Sequence, residues 1–422
     1  MSDAAAGVQA KAAASPTIIK AGERLVEIDM LRGLVIVIMA LDHVRDYFHA
    51  GAANYNPLDP AQTTTWLYLT RWITHLCAPT FVFLAGVSAF LQAAKGKTGP
   101  ALSGFLVTRG LWLVALELTV LSFGWSFGFP YPIFMQVIWA IGWSMIALAA
   151  LVMLPRVAVL AIGLIIVCGH NLLDPITPDQ LGGLATLWTF LHEGGPIFVG
   201  EQPIGIAAYP VLPWIGVMAV GYGAGPLFLE PSQTRDRKLV LAGVAMIALF
   251  LLLRGFNLYG NPIADNNVGG PFGGVSSWRD QADFGAMAMA FFDVQKYPPS
   301  LMYMLVTLGI CMLLLVALRQ LKGPAAKVLL VFGAVPFFFY VAHIYLVHML
   351  AILANGAVGR DVSPFFGYMM NVFVTPERLE GLGFSLPWVY LAWVIAVALL
   401  YLPCAYWAGL KKRRRDWWLS YL

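Results

Sequence analysis

Charge is what this 422-residue sequence has least of: 11% of its residues are Asp, Glu, Lys or Arg, against about 25% in an ordinary soluble protein. With 59% hydrophobic residues and a mean hydropathy of +0.75, that scarcity excludes a soluble globular chain and leaves a polytopic membrane protein. The net charge of +4 follows membrane topology and is not gathered into a nucleic-acid footprint, so no nucleic-acid partner is expected. Cysteine is also scarce. Cys77, Cys168, Cys311 and Cys404 are scattered through apolar runs without CxxC, disulfide or zinc spacing, and each reads as a small buried hydrophobe. HExxH, a Walker A loop, GxGxxG opening a helix after a strand, and a GxSxG elbow are all missing, so no metal is expected. Internal repeats and a separate soluble domain are missing too.

What is present is a series of apolar runs of membrane-crossing length. They predict ten helices near 31–50, 73–94, 104–123, 133–154, 157–173, 208–228, 238–256, 300–319, 328–354 and 385–409. An all-α polytopic bundle follows, with both termini cytoplasmic. In that orientation only Arg45, Arg71, Arg254, Arg279, Lys296, Arg360 and Arg378 fall on the outer side, while the other basic residues lie inside, as the positive-inside rule requires. Residues 1–22, Ala-rich with a Ser-Pro, read as a disordered cytoplasmic tail with no signal-peptide core. Residues 23–410 read as one transmembrane unit and 411–422, opening KKRRR, as a basic cytoplasmic C-terminus.

The first helix is the most informative. Its charges cluster at its ends, Asp29 and Arg32 at one and Asp42, His43, Arg45, Asp46 and His49 at the other. A charge in hydrocarbon costs several kcal/mol unless paired or wet, so such a cluster points to a functional site. Eleven residues at about 100° each return Arg32 and His43 to nearly one face, about 16 Å apart along the axis. Ile36 and Met39 fill the stripe between them. An anionic head held by Arg32, with a thin arm carrying a reactive group to His43, fits that stripe. The alternative has Arg32 snorkelling to lipid headgroups and Asp29 capping the helix. Asp42, Arg45, Asp46 and His49 share a second face on which Arg45 can neutralise an aspartate; His49 is either a second base or an outer-surface residue.

Other candidates lie further along. Arg71 and His75 share a face before Pro79, and Arg71 suits Asp42 or Asp46 as a partner. Glu117, deep in the third predicted span, calls for an Arg or His from another helix. His343 and His348 stand about 140° apart, which is no metal pair; His343 is placed at the cavity, one turn from Tyr340. The long outer stretches 174–207, 257–299 and 355–384 carry Trp188, His192, Tyr259, Trp278 and Tyr297, suited either to covering a polar ligand or to an interfacial aromatic belt.

The pattern R-x(4)-D-x-L-R-G, then an apolar run with His eleven residues after the Arg, resembles the transmembrane acyltransferase superfamily. The longer match is to bacterial members of the heparan-alpha-glucosaminide N-acetyltransferase-like group, related to acyltransferase family 3. It rests on IDMLRGLVIVIMALDHVRDYFH, THLCAPTFVFLAG, GHNLLD, YPVLPWIGVMAVGYGAG, KYPPSL and GAVPFFFYVAHIYLVH. The resemblance implies transfer of an acetyl group from cytoplasmic acetyl-CoA to an amine or hydroxyl of an extracytoplasmic sugar or glycan, in the cell inner membrane, with an essential Arg and His matched by Arg32 and His43. Lysosomal members carry Asn at the place of His43 and use a His in the following loop, to which either His49 or nothing here corresponds. On this reading His43 takes the acceptor's proton, Asp46 or Asp42 orients its ring, Asn171 or a buried donor holds the oxyanion, and Arg32, Asp29, Arg71 and His343 form the donor-binding set. A route through acetyl-histidine is a variant. A proton-coupled secondary transporter of a small polar solute is the rival class, and a catalytically dead scaffold a third. Small-residue helix faces permit a homodimer.

Overall fold

A computed structural model describes residues 25–260, 277–414, 416 and 419; the predicted tail at 1–22 lies outside the described residues. In chain order the helices are α1 (Val26–Phe48), α2 (Thr65–Ile73), α3 (Cys77–Ala94), α4 (Gly99–Leu116), α5 (Ser122–Ser126), α6 (Val137–Leu151), α7 (Arg156–Gly169) and α8 (Ala185–Trp188). They continue as α9 (Val211–Gly223), α10 (Ser232–Phe256), α11 (Phe284–Phe292), α12 (Leu301–Gln320), α13 (Pro324–Ala334), α14 (Pro336–Ala357), α15 (Tyr368–Val374) and α16 (Leu386–Arg413). Among the described residues, eight stretches are long and apolar enough to cross a membrane: Thr65–Ala94, Gly99–Ser126, Arg156–Leu173, Val211–Leu229, Ser232–Phe256, Leu301–Gln320, Pro336–Ala357 and Leu386–Arg413. The remaining two predicted spans are α1, 23 residues with charged ends, and α6, 15 residues. The architecture is therefore the expected all-α polytopic bundle.

α1 runs through the middle of the bundle. Leu31, Val35, Ala40 and Val44 are fully buried, and α3, α12, α13, α14 and α16 pack around them. That burial explains why a helix with ionisable ends is stable here: most of its apolar middle is covered by protein, with Leu34, Val37 and Ile38 half-buried, and its charges find protein partners.

The predicted ninth span, 328–354, is not one helix. It breaks at Val335, whose φ of −135° and ψ of 49° are non-helical, because Pro336 has no N–H to donate and crowds the helical conformation of the residue before it. α13 crosses α1 where two glycines meet. A Cβ on Gly33 would lie 1.9 Å from the Leu329 carbonyl oxygen, and one on Gly333 would lie 1.8 Å from that of Asp29. After the break α14 runs beside α1 in the same direction, pairing His43 with His343 (ring centroids 4.9 Å apart) and then Tyr47 with His348 (4.5 Å).

Glu117 also departs from expectation. Among the described residues it meets no Arg or His; its Oε2 accepts the backbone N–H of Trp139 at 3.0 Å, in the first turn of α6. Helix-start N–H groups have no partner in their own helix, and their dipole favours a negative group. A small sheet was not legible in the sequence: β1 (Ile133–Met135), β2 (Gly195–Val199) and β3 (Gln202–Ala207), in the order β1-β3-β2, with β1 parallel and β2 antiparallel to β3. β1 leads directly into α6 and sets Phe134 and Gln136 at the His43 end of the bundle.

Candidate functional site

The two ends of α1 each open onto a cavity. At the first, Arg32 donates to Asp29 at 3.3 Å, to the Leu84 carbonyl at 3.4 Å and to the Ser88 hydroxyl. The cavity there has a volume of about 480 Å³ and is lined by Asp29, Arg32, Ser88, Arg109, Lys411 and Lys412, with Gly333, Ala334, Pro336 and Phe337 along one wall. Lys411 reaches the Ala334 carbonyl at 3.4 Å. Four cationic side chains from α1, α4 and α16 thus converge with a single carboxylate, which suits a polyanionic group. The first turn of α1 and the last of α16 lie at the same end of the bundle.

At the other end a cavity of about 70 Å³ is lined by Asp42, His43, Arg45, Asp46, Arg71, Gln136, Lys296 and Tyr297, with Trp125, Phe134, Tyr209 and residues of α15 forming its apolar walls. Arg45 donates to Asp42 at 3.1 Å and to Asp46 at 2.6 Å. Arg71 donates to the second Asp42 oxygen at 2.7 Å and to Thr74 at 3.2 Å. Lys296 stands 3.9 Å from the same oxygen. Buried carboxylates are tolerable here because each has a cation in contact. The cavity carries three cations to two carboxylates, and Tyr297 registers the difference: burial pushes its phenol up, yet Lys296 and Arg71 hold it below the usual tyrosine range.

The hydrogen bond that orients His43 comes from neither Asp42, both of whose oxygens are taken by Arg45 and Arg71, nor Asp46, whose Oδ1 is taken by Arg45. Its Nδ1 lies 2.6 Å from Nε2 of His343, and Nδ1 of His343 lies 3.0 Å from the Phe339 carbonyl. A carbonyl only accepts, so Nδ1 of a neutral His343 carries the proton and its Nε2 has the lone pair. Nδ1–H of His43 then donates to it, which leaves Nε2 of His43 as an unprotonated base. Trp125 packs edge-on against the His43 ring, 4.9 Å between centroids and 76° between planes. His343 is therefore behind His43 and does not line the cavity, the place the sequence suggested for it.

The other sequence candidates separate from the site. His49 accepts the Gly51 N–H at 3.2 Å and lines a separate pocket of about 20 Å³ beside Asp46 and Tyr368. His75 turns away from Arg71 through the 3-10 turn Thr74–Leu76 and meets Tyr303 edge-on, 5.4 Å between centroids. Asn171, considered as an oxyanion donor, is occupied: its oxygen accepts the Leu301 N–H at 2.9 Å and its amide donates to Asp174 at 3.0 Å. Of Trp188, His192, Tyr259, Trp278 and Tyr297, it is Tyr297 that lines the His43 cavity; Trp188 donates to Ile176, Tyr259 to Cys168 and Trp278 to Arg254, each through a backbone carbonyl. Sequence reasoning missed Lys296, Gln136 and Trp125. For Lys296 a signal existed: a basic residue on the outer side, directly before Tyr-Pro-Pro.

Ile36, fully buried, lies between the cavities together with Tyr340, whose hydroxyl is 3.5 Å from Gln136 Oε1. No curated protein sequence matches the chain. The profile of the heparan-alpha-glucosaminide N-acetyltransferase catalytic domain matches residues 24–257, which covers Arg32, His43, Arg71 and Arg109 and leaves Lys296, His343 and Lys411 beyond it. The chain belongs to the heparan-alpha-glucosaminide N-acetyltransferase catalytic family, a family of membrane acetyltransferases.

Proposed function

We propose that the protein transfers an acetyl group from cytoplasmic acetyl-CoA to an amine or hydroxyl of a sugar or glycan on the outer side of the cell inner membrane. The observation that carries this reading is the pair of cavities at the two ends of one face of α1, a cationic one at Arg32 and one with an oriented imidazole at His43. The separation of about 16 Å along the helix suits a nucleotide head at Arg32, Arg109, Lys411 and Lys412, with the pantetheine arm reaching toward His43. Asp29 orients Arg32 and is not itself a phosphate ligand.

In the direct mechanism the acceptor enters from the His43 end and gives its proton to His43 Nε2 as it attacks the thioester carbonyl. The tetrahedral intermediate collapses, the carbon–sulfur bond breaks, and the CoA thiolate takes the proton back from His43. His343 keeps the ring in the reactive tautomer and accepts from Nδ1–H while His43 is charged. Arg71 and Arg45 hold Asp42 beside the ring, where its charge stabilises the imidazolium. The test is direct: purified protein in nanodiscs with radiolabelled acetyl-CoA and a panel of aminosugars and neutral sugars. Saturable binding with labelled product supports the reading. No binding at millimolar acetyl-CoA overturns it and favours transport.

A further inference from the structure

The cavity at His43 holds one cation more than its two carboxylates balance. Both oxygens of Asp42 are hydrogen-bonded, one by Arg45 at 3.1 Å and one by Arg71 at 2.7 Å, and Asp46 is paired with Arg45 at 2.6 Å. Lys296 is 8% exposed and lines the cavity; its Nζ is 3.9 Å from Asp42, beyond hydrogen-bond reach, and its side-chain hydrogen bond is to the Tyr297 phenol rather than to a carboxylate. The nearby Asp293 does not line this cavity; it sits against Arg254, whose guanidinium is bonded to the carbonyls of Ala290, Phe291 and Asp293. A desolvated ammonium beyond what the ground state neutralises is costly in an apolar setting, unless negative charge develops beside it during the reaction.

The chain braces the backbone on either side of Lys296. Lys296 bridges to Pro299 across a tight loop, and Gln295 closes the loop by donating to the Tyr297 carbonyl at 2.8 Å and accepting the Ser300 N–H on its own carbonyl at 2.9 Å. The loop is tied to the GHNLLD segment: His170 Nε2 lies 2.8 Å from the Pro299 carbonyl, and Asn171 accepts the Leu301 N–H at 2.9 Å. The GHNLLD segment thus serves as a brace for the loop that carries residue 296.

We propose that Lys296 is a catalytic residue whose ammonium stabilises the oxyanion formed when the acceptor attacks the acyl carbonyl. The inference rests on the acyl-transfer reading and deepens it. As the carbon–nitrogen or carbon–oxygen bond forms, the carbonyl π electrons move to oxygen and His43 Nε2 receives the acceptor's proton. The oxyanion then balances the surplus cation of the cavity. When the electrons return, the carbon–sulfur bond breaks and the thiolate leaves with the proton from His43. The Lys296 charge is in place before the reaction, so no reorganisation is needed at the moment the oxyanion appears.

The experiment compares wild type, Lys296→Met and Lys296→Arg in nanodiscs, measuring the Kd of acetyl-CoA and the rate of acetyl-CoA cleavage with water or glucosamine as acceptor. Lys296→Met should bind acetyl-CoA within about twofold of wild type, because the donor's phosphates sit at the other end of α1, and should cleave it about 10²-fold more slowly. Lys296→Arg, which keeps the charge, should recover at least tenfold of that loss (about 1.4 kcal/mol). Cleavage by Lys296→Met within threefold of wild type overturns the inference, and so does equal impairment of the Met and Arg variants, which would make the side chain a packing element. A wild type that neither binds nor cleaves acetyl-CoA overturns the acyl-transfer reading and this inference with it; an active wild type beside an active Lys296→Met overturns the inference alone.

Discussion

Nδ1 of His43 and Nε2 of His343 are 2.6 Å apart, joining the middle of the ninth crossing to the end of the first across 300 residues of sequence. Because His343 is itself bound to the Phe339 carbonyl, the pair has one arrangement of protons in which both rings are neutral and both bonds are made, and it leaves His43 Nε2 free to accept a proton.

His343→Phe should therefore lower the turnover of acetyl-CoA about 10²-fold while its Kd stays within about twofold. Steady-state kinetics beside equilibrium binding checks this. An unchanged turnover number would show that His43 needs no partner to hold its tautomer.

Arg71→Ala removes the closest partner of a buried carboxylate, and losing one member of such a pair costs about 3–5 kcal/mol. The variant should melt at a clearly lower temperature, and adding Asp42→Asn should restore part of the loss, since the orphaned charge goes with it. Thermal denaturation of the single and double variants in the same detergent decides it; strictly additive losses would mean the two side chains do not act as a pair.

Gly33→Ala places a methyl against the Leu329 backbone at the crossing of α1 and α13. Backbone cannot swing aside as a side chain can, so destabilisation of at least about 1–3 kcal/mol is expected, together with weaker acetyl-CoA binding, because Gly333 and Ala334 on the displaced helix line the Arg32 cavity. Gly104→Ala, with open space around it, is the control and should change neither.

Asp293 lies in the outer stretch between α11 and α12. Burial pushes its carboxyl up to about 7, against the pull of Arg254 and Arg71. A carboxyl that holds its proton more tightly in the folded state contributes stability that is complete below about pH 4 and is lost as the pH rises through about 7. Melting temperature should fall across that window in wild type and fall less in Asp293→Asn. Parallel profiles for the two proteins would remove Asp293 from the explanation.

The sequence made α1 legible because its logic is local. Periodicity alone puts Arg32 and His43 on one face and makes Arg45 neighbour Asp42 and Asp46, and the small residues after Pro79 bring Arg71 within reach. The His43–His343 bond was not legible, since histidine spacing within one helix carries no information about a helix 300 residues away. Glu117 was assigned a side-chain partner because an isolated buried carboxylate suggests one; the open N–H groups of α6 served it instead, and where a helix starts is weakly marked when apolar residues continue on both sides. The break at Pro336 could have been read from the proline itself, but the apolar run across it gave the stronger signal. Strands of three to six residues leave too short a pattern to tell from membrane helix or loop.

In the proposed reaction the two ends of α1 do separate work, holding the donor at Arg32 and moving the proton at His43. Equilibrium binding and turnover of labelled acetyl-CoA by Arg32→Ala and His43→Ala in nanodiscs test it together. Arg32→Ala should raise the Kd at least about tenfold, the loss of a charge-assisted contact of 1.4 kcal/mol or more, and retain turnover at saturating donor; His43→Ala should bind as wild type does and turn over at least about 10²-fold more slowly. Loss of binding in His43→Ala with normal binding in Arg32→Ala would contradict the assignment.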